Sequence, residues 1–404
     1  MKSDMKRWGY ACVGVIVLLF AGRVYAWTVL QAPIEAAFPT WSKGQLSFTF
    51  TLTMMGFCLG GFTGGILQKQ WKPRILVWTA GIMFFAGFVI VSRANSLIML
   101  YLGFGILGGL ACGLVYNIVM SCVSVWFPDK PGFISGLMLM GFGISSFIIG
   151  KFYTAVTPSD GSDTWRNTFF MLGIILAAVM FVMGFFIQKP YSNEVISSAD
   201  KSIKIYEEVE TCQMIKRASF WLYMIWATFL SAAGLAIISQ GTPMALEACP
   251  ETEMGTVATI VGLLSIFNGL GRVMFGVLFD KLGRFMAMLF GGILFILAMF
   301  FLLGALENHS LSILIIAYIM TGLAYGCVTP TNSAFVNAYY GRKNYPVNLS
   351  VVNMNMLVAS MGSTMAGAIY DITDSYTAII WIVIVLISIG TVMSCFIRKP
   401  MVRK

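Results

Sequence analysis

Charge is what this chain has least of, and acidic charge is absent where it would matter most. Charged residues make up 11% of the 404, against about 25% in an ordinary soluble domain, so a soluble fold is excluded. All 17 Asp and Glu fall in loops or at the ends of apolar runs. Histidine occurs once, at His309, and the eight cysteines include no CxxC pair. That scarcity argues against a zinc site, a metal cofactor or a disulfide framework. The cysteines lie mostly inside apolar runs, where a thiol serves as small apolar filler. No nucleophile–base pair is visible, so an enzyme is not expected.

What the chain has in excess is apolar sequence, 58% of all residues. Runs long enough to cross a bilayer begin near residues 9, 45, 75, 97, 132, 166, 219, 255, 285, 310, 347 and 376. The first is too long for the h-region of a secretory signal. Twelve spans put both ends on one side. The net charge of +9 would suit a nucleic-acid partner, but its distribution argues otherwise. Of the 26 Lys and Arg, 20 fall on the side of the N-terminus, four at or near the other side, and two, Arg23 and Arg272, within spans. Such a bias predicts a cell-membrane protein with both termini cytoplasmic. Its expected surroundings are a lipid bilayer, without nucleic acid, and a monomer is expected.

One polar stretch, residues 189–218, interrupts the pattern between spans six and seven. It divides the chain into residues 1–188 and 219–404, each with six spans, and reads as a cytoplasmic linker. The halves echo each other. Gly65-Ile-Leu-Gln-Lys69-Gln-Trp-Lys72-Pro-Arg74 follows span two, and Gly276-Val-Leu-Phe-Asp280-Lys281-Leu-Gly283-Arg284 follows span eight, 211 residues later. Two six-span repeats with a site between them is a transporter plan. Gly105, Gly109 and Gly113 share one face of span four and would let a neighbouring helix approach closely.

Arg272 stands out among the site candidates. It lies in residues 255–279, an otherwise almost wholly apolar stretch, eight residues before the basic turn 280–284. At ~1.5 Å per residue that is ~12 Å deep in a hydrocarbon core ~30 Å thick. A permanent cation there costs several kcal/mol unless something polar or anionic meets it. No carboxylate of the chain is placed to do so, which points to an anionic substrate. Asn268, four residues earlier, and helix carbonyls are the structural alternative.

These motifs resemble the major facilitator superfamily, whose cytoplasmic signature is similar to the turn after span eight. Within it the chain resembles the oxalate/formate antiporter family, which is related to monocarboxylate transporters. The stretches that carry the resemblance are Tyr25-Ala-Trp27 with Pro33, Trp126-Phe-Pro-Asp-Lys130-Pro-Gly132, Phe267-Asn-Gly-Leu-Gly-Arg272, Pro330-Thr-Asn-Ser333 and Arg342-Lys-Asn-Tyr345. The resemblance implies a carboxylate between the halves, gripped by Arg272 and lined by Tyr25, Tyr116, Phe142 and Tyr325. It also marks departures. Oxalate exchangers carry a lysine in span eleven, whereas residues 347–369 hold none, and Asn353 and Asn355 stand nearest. Val24 stands where glutamine is expected, and Lys69 where aspartate is usual.

Other candidates are weaker. Arg23 could supply a second cation, but it lies two residues from Tyr25, about 200° around an α-helix. Asn332 follows Pro330, where a loosened helix exposes backbone groups. Gln240 lies in span seven. Asp280 and Arg284 read as gate residues that close the inner mouth by charge pairs. The sequence therefore predicts an all-α membrane protein of twelve helices in two six-helix bundles. It predicts alternating-access transport of a small organic anion, a monocarboxylate such as formate, lactate or pyruvate, with no cofactor. An oxalate/formate-type dicarboxylate exchanger and a non-transporting membrane sensor are the alternatives.

Overall fold

In a computed structural model of the chain, residues 2–41, 43–157, 163–188 and 208–398 are described. Among them every regular element is helical. Ten helices are long and apolar enough to cross a membrane, one of them the 50-residue Thr259–Asn308. That helix carries both spans eight and nine, because Gly283 breaks it at φ 79° and ψ 176°. Only glycine adopts such a conformation cheaply. Span eleven is cut into Tyr345–Asn353, Asn355–Ala359 and Met361–Thr373, none of them long enough alone. The protein thus has twelve spans. Residues 189–207 of the expected linker lie outside the described residues; Thr211–Ile215 forms a short helix.

The described residues fall into two compact units. The first takes its members from Met1–Asp129, Gly141–Ile203 and Leu349–Val351. The second takes them from Lys130–Met140, Lys204–Asn348 and Val352–Lys404. Span five (Pro131–Val156) therefore contributes its first ten residues to the second unit and the rest to the first.

In the first unit, span two (Lys43–Leu67) lies against span four along the glycine face. A Cβ built on Gly113 would stand 1.9 Å from the Phe57 carbonyl, and one on Gly109 2.5 Å from that of Thr53. Span four begins as an α-helical turn, Leu97–Leu100, takes π-helical winding over Tyr101–Leu107 and continues as Gly108–Ser124. Span one is α-helical over Lys2–Ala21 and then tightens to a 3₁₀ segment, Gly22–Ala26. Trp27 donates its indole N–H to the Leu46 carbonyl at 3.2 Å, anchoring the end of that segment.

In the second unit, three backbones converge on one level of span eight. A Cβ on Gly136 of span five would come within 2.2 Å of the Arg272 carbonyl, and one on Gly326 of span ten within 2.7 Å of the Asn268 carbonyl. The end of the linker is fastened to the chain before and at the start of span eleven. Glu208 accepts from the backbone N–H of Lys343 at 2.8 Å, and Thr211 donates to Asn348 at 2.7 Å.

Candidate functional site

The first unit holds an aromatic cluster. Tyr25 meets Phe142 edge-on, with centroids 5.5 Å apart. Tyr116 meets Phe142 at 5.9 Å and Phe57 at 5.1 Å. Phe142 and Tyr116 are buried, and Tyr25 is half-buried. The structure thus brings together three residues that the sequence singled out and adds Phe57 of span two. A phenylalanine in an apolar span carries no signal of its own, so Phe57 was not legible in advance. Tyr25 reaches Phe142 because Gly22 has no side chain: a Cβ there would lie 2.5 Å from the Phe142 carbonyl.

Arg23 does not join this cluster. The 3₁₀ winding turns about 120° per residue, which sends positions 23 and 25 to different sides of span one. The Arg23 guanidinium is buried against Phe104, Phe88 and Phe84, at 4.3, 4.8 and 5.1 Å from their ring centroids.

The second unit holds the polar residues. Arg272 is 1% exposed. Its Nε donates to Asn268 Oδ1 at 3.2 Å and its Nη1 to the Leu139 carbonyl at 2.6 Å. Both acceptors are neutral. Asn268 is the i−4 neighbour weighed from the sequence, whereas the Leu139 carbonyl belongs to span five. Tyr325 is buried against Gly234 of span seven, where a Cβ would come within 2.0 Å of its ring.

The span-eleven asparagines diverge. Asn332 donates to Asn353 at 3.0 Å and accepts from the Tyr223 hydroxyl at 2.6 Å. Asn355 instead donates to Ser231 of span seven at 3.3 Å. The two asparagines face different spans because residues two apart on a helix lie about 200° around its axis. Gln240 lies elsewhere, at the end of span seven beyond Ser239, and accepts from the Tyr376 hydroxyl at 2.9 Å.

The gate candidates bind backbone groups at helix ends. Asp280 accepts from the N–H groups of Gly132 and Phe133 at 2.8 and 2.7 Å. A carboxylate suits the positive end of a helix, here the inner end of span five. Arg284 donates to the carbonyls of Ser394 and Ile397, both at 2.8 Å, at the end of span twelve. A guanidinium suits the negative end of a helix for the same reason. These four backbone contacts, invisible in a linear sequence, tie both residues to helix ends distant in the chain.

Comparison with known proteins supplies a family. The model of the Major Facilitator Superfamily matches residues 12–249 and 249–404. A protein of Oxalobacter formigenes named oxalate:formate antiporter is 27% identical over 346 residues, 84% of this chain and 80% of that protein. The MFS-type transporter YhjX of Escherichia coli (strain K12), described as uncharacterized, is 24% identical over 88% of this chain and 86% of its own length. Monocarboxylate transporter 13 of Rattus norvegicus is 24% identical over 79% of this chain and 72% of its own. Among solved structures, the proton:xylose symporter XylE superposes with a TM-score of 0.74 at 13% identity, covering 98% of this chain and 97% of that one. A likeness at that identity concerns the fold alone.

Proposed function

The chain belongs to the major facilitator superfamily, and we propose that it carries a small monocarboxylate of the formate, lactate or pyruvate class across the cell membrane by alternating access. The orientation favoured by the basic residues puts both termini in the cytoplasm. The observation that carries the reading is Arg272, a buried guanidinium at mid-span whose contacts with Asn268 and the Leu139 carbonyl are to neutral acceptors. A carboxylate offers two charged oxygens to the same planar fork and makes stronger, parallel hydrogen bonds than an amide or carbonyl can. The names of two relatives, an oxalate:formate antiporter and a monocarboxylate transporter, both refer to carboxylates.

One carboxylate fits better than two. Asn353 and Asn355, nearest the lysine position of oxalate exchangers, are neutral and engaged with Asn332 and Ser231. Arg23 sits in an aromatic box rather than beside Tyr25. The relative named for oxalate keeps dicarboxylate exchange as the second reading. Exchange is favoured over proton coupling, since no Asp, Glu or His lies within the spans around Arg272.

Proteoliposomes test this. Internal unlabelled monocarboxylate should accelerate uptake of labelled formate or lactate, and internal oxalate should not. Uptake that ignores internal substrate and follows only a pH gradient overturns exchange. No uptake of any carboxylate overturns the reading as a whole.

Gating belongs to the same reading. Asp280 caps span five at its inner end and so holds that end to the turn after span eight. Replacing it by Asn removes the charge and leaves one acceptor, a loss of about 1 kcal/mol for a helix cap. Ser135 is buried one turn beyond the cap and bonds Ser333 at 2.6 Å. In a Ser135→Cys background, Asp280→Asn should therefore speed maleimide labelling about fivefold. An unchanged labelling rate means that the cap does not hold the inner end shut.

A further inference from the structure

Arg23 is a buried charge of the first unit that the proposed mechanism leaves unused. It is 1% exposed. Among the described residues, its Nε, Nη1 and Nη2 have no hydrogen-bond partner. Three phenylalanine rings of spans three and four surround it, the nearest with its centroid 4.3 Å from the guanidinium carbon. Room for it is made by Gly108, where a Cβ would stand 1.9 Å from Nη2. Spans three and four contain no Asp or Glu.

Aromatic faces attract a cation and repay part of its desolvation, but they carry no net charge. The guanidinium does not lose its proton. A full positive charge is therefore held inside the first unit without neutralisation by its box, in a medium that screens it weakly.

Gly108, Cys112 and Tyr116 follow one another at four-residue steps and share a face of span four. The guanidinium lies at the level of Gly108, so Tyr116 stands about 12 Å from it along the helix axis. At that distance and an effective dielectric constant near 20, two opposite unit charges attract by about 1.4 kcal/mol, which is about tenfold in affinity.

We infer that Arg23 is a specificity residue that acts without contact: its boxed charge favours an anion over a neutral molecule of the same shape at the Tyr25–Tyr116–Phe142 cluster. The inference rests on the carboxylate reading above. Arg23 would set the potential in which the anion sits without touching it.

The test compares carboxylates with their amide isosteres, formate with formamide and lactate with lactamide, by thermal shift of the purified full-length protein. Arg23→Met keeps an unbranched side chain in the box and removes the charge, and Arg23→Leu is a second neutral variant should the first prove unstable. Both should bind carboxylate about tenfold more weakly and bind the amides as wild type does. Arg23→Lys should restore most of the carboxylate affinity. Equal weakening of acid and amide would assign Arg23 a purely structural role and overturn the inference, as would carboxylate binding unchanged in both neutral variants. If wild type binds no carboxylate, the functional reading itself fails, and this inference with it.

Discussion

Arg272→Gln should bind carboxylate about 150-fold more weakly than wild type and show no measurable exchange in proteoliposomes. A hydrogen bond to a charged group is worth ~1.5–3 kcal/mol, and glutamine can replace the arginine fork with only one neutral donor. A net loss of about 3 kcal/mol corresponds to that factor. Arg272→Lys keeps the charge but not the planar fork, so it should fall between the two. Stability without ligand gives the deciding contrast. A cation at mid-span is a cost to the fold, and Gln can still reach a neutral acceptor. Ligand-free Arg272→Gln should therefore melt at or above the wild-type temperature. A clear fall in ligand-free melting temperature would mean that the guanidinium holds span eight to Asn268 and the Leu139 carbonyl as a structural strut, and the carboxylate reading would lose its main support.

Gly113→Val should be the most damaging single substitution in the first unit. The added Cβ would stand 1.9 Å from the Phe57 carbonyl and 2.7 Å from the Gly61 N–H nitrogen. Both are backbone atoms of span two, so no side chain can rotate away. Overpacking of this kind costs ~1–3 kcal/mol and sometimes more, and close helix pairing within a membrane depends on small residues. A loss of about 3 kcal/mol is expected, seen as a lower melting temperature and loss of monodispersity in detergent. The aromatic cluster would shift too, because Phe57 and Tyr116 lie on the two helices forced apart. Gly262→Val is the control: nothing lies within 4 Å of a Cβ there, so it should melt like wild type. Equal melting of Gly113→Val and Gly262→Val would show that spans two and four do not pack through this face.

Much of the architecture was readable before any coordinates. Span positions follow from summed hydropathy, which needs no knowledge of neighbours. The glycine face of span four was readable because four-residue spacing alone places Gly105, Gly109 and Gly113 on one side. The break between spans eight and nine was readable from Gly283 inside a basic turn. Arg272 was readable because a charge in an apolar run is conspicuous wherever its partner lies.

Other features depended on contacts that no linear spacing encodes. Span eleven was read as one run, yet Asn353 and Asn355 turn to different neighbours. Asp280 and Arg284 were read as a charge-paired gate, yet each meets the end of a helix that is distant in sequence. Gln240 was grouped with the site and instead bonds Tyr376 at the end of span seven. The Leu139 carbonyl, 2.6 Å from Arg272 Nη1, could not have been found at all, since every residue has a carbonyl.

The sequence by itself determined how many times the chain crosses the bilayer, which ends share a side in its reading, and where an embedded charge demands an explanation. Those are properties of residues taken singly or at helical spacing, because transfer from water to lipid is paid residue by residue. Only the tertiary structure decided which partner each polar group meets. It put Arg272 against span five and Asn268, Arg23 into a phenylalanine box, and Tyr25 against Phe142. Such choices depend on the rotation and register of one helix against another to within a few ångströms.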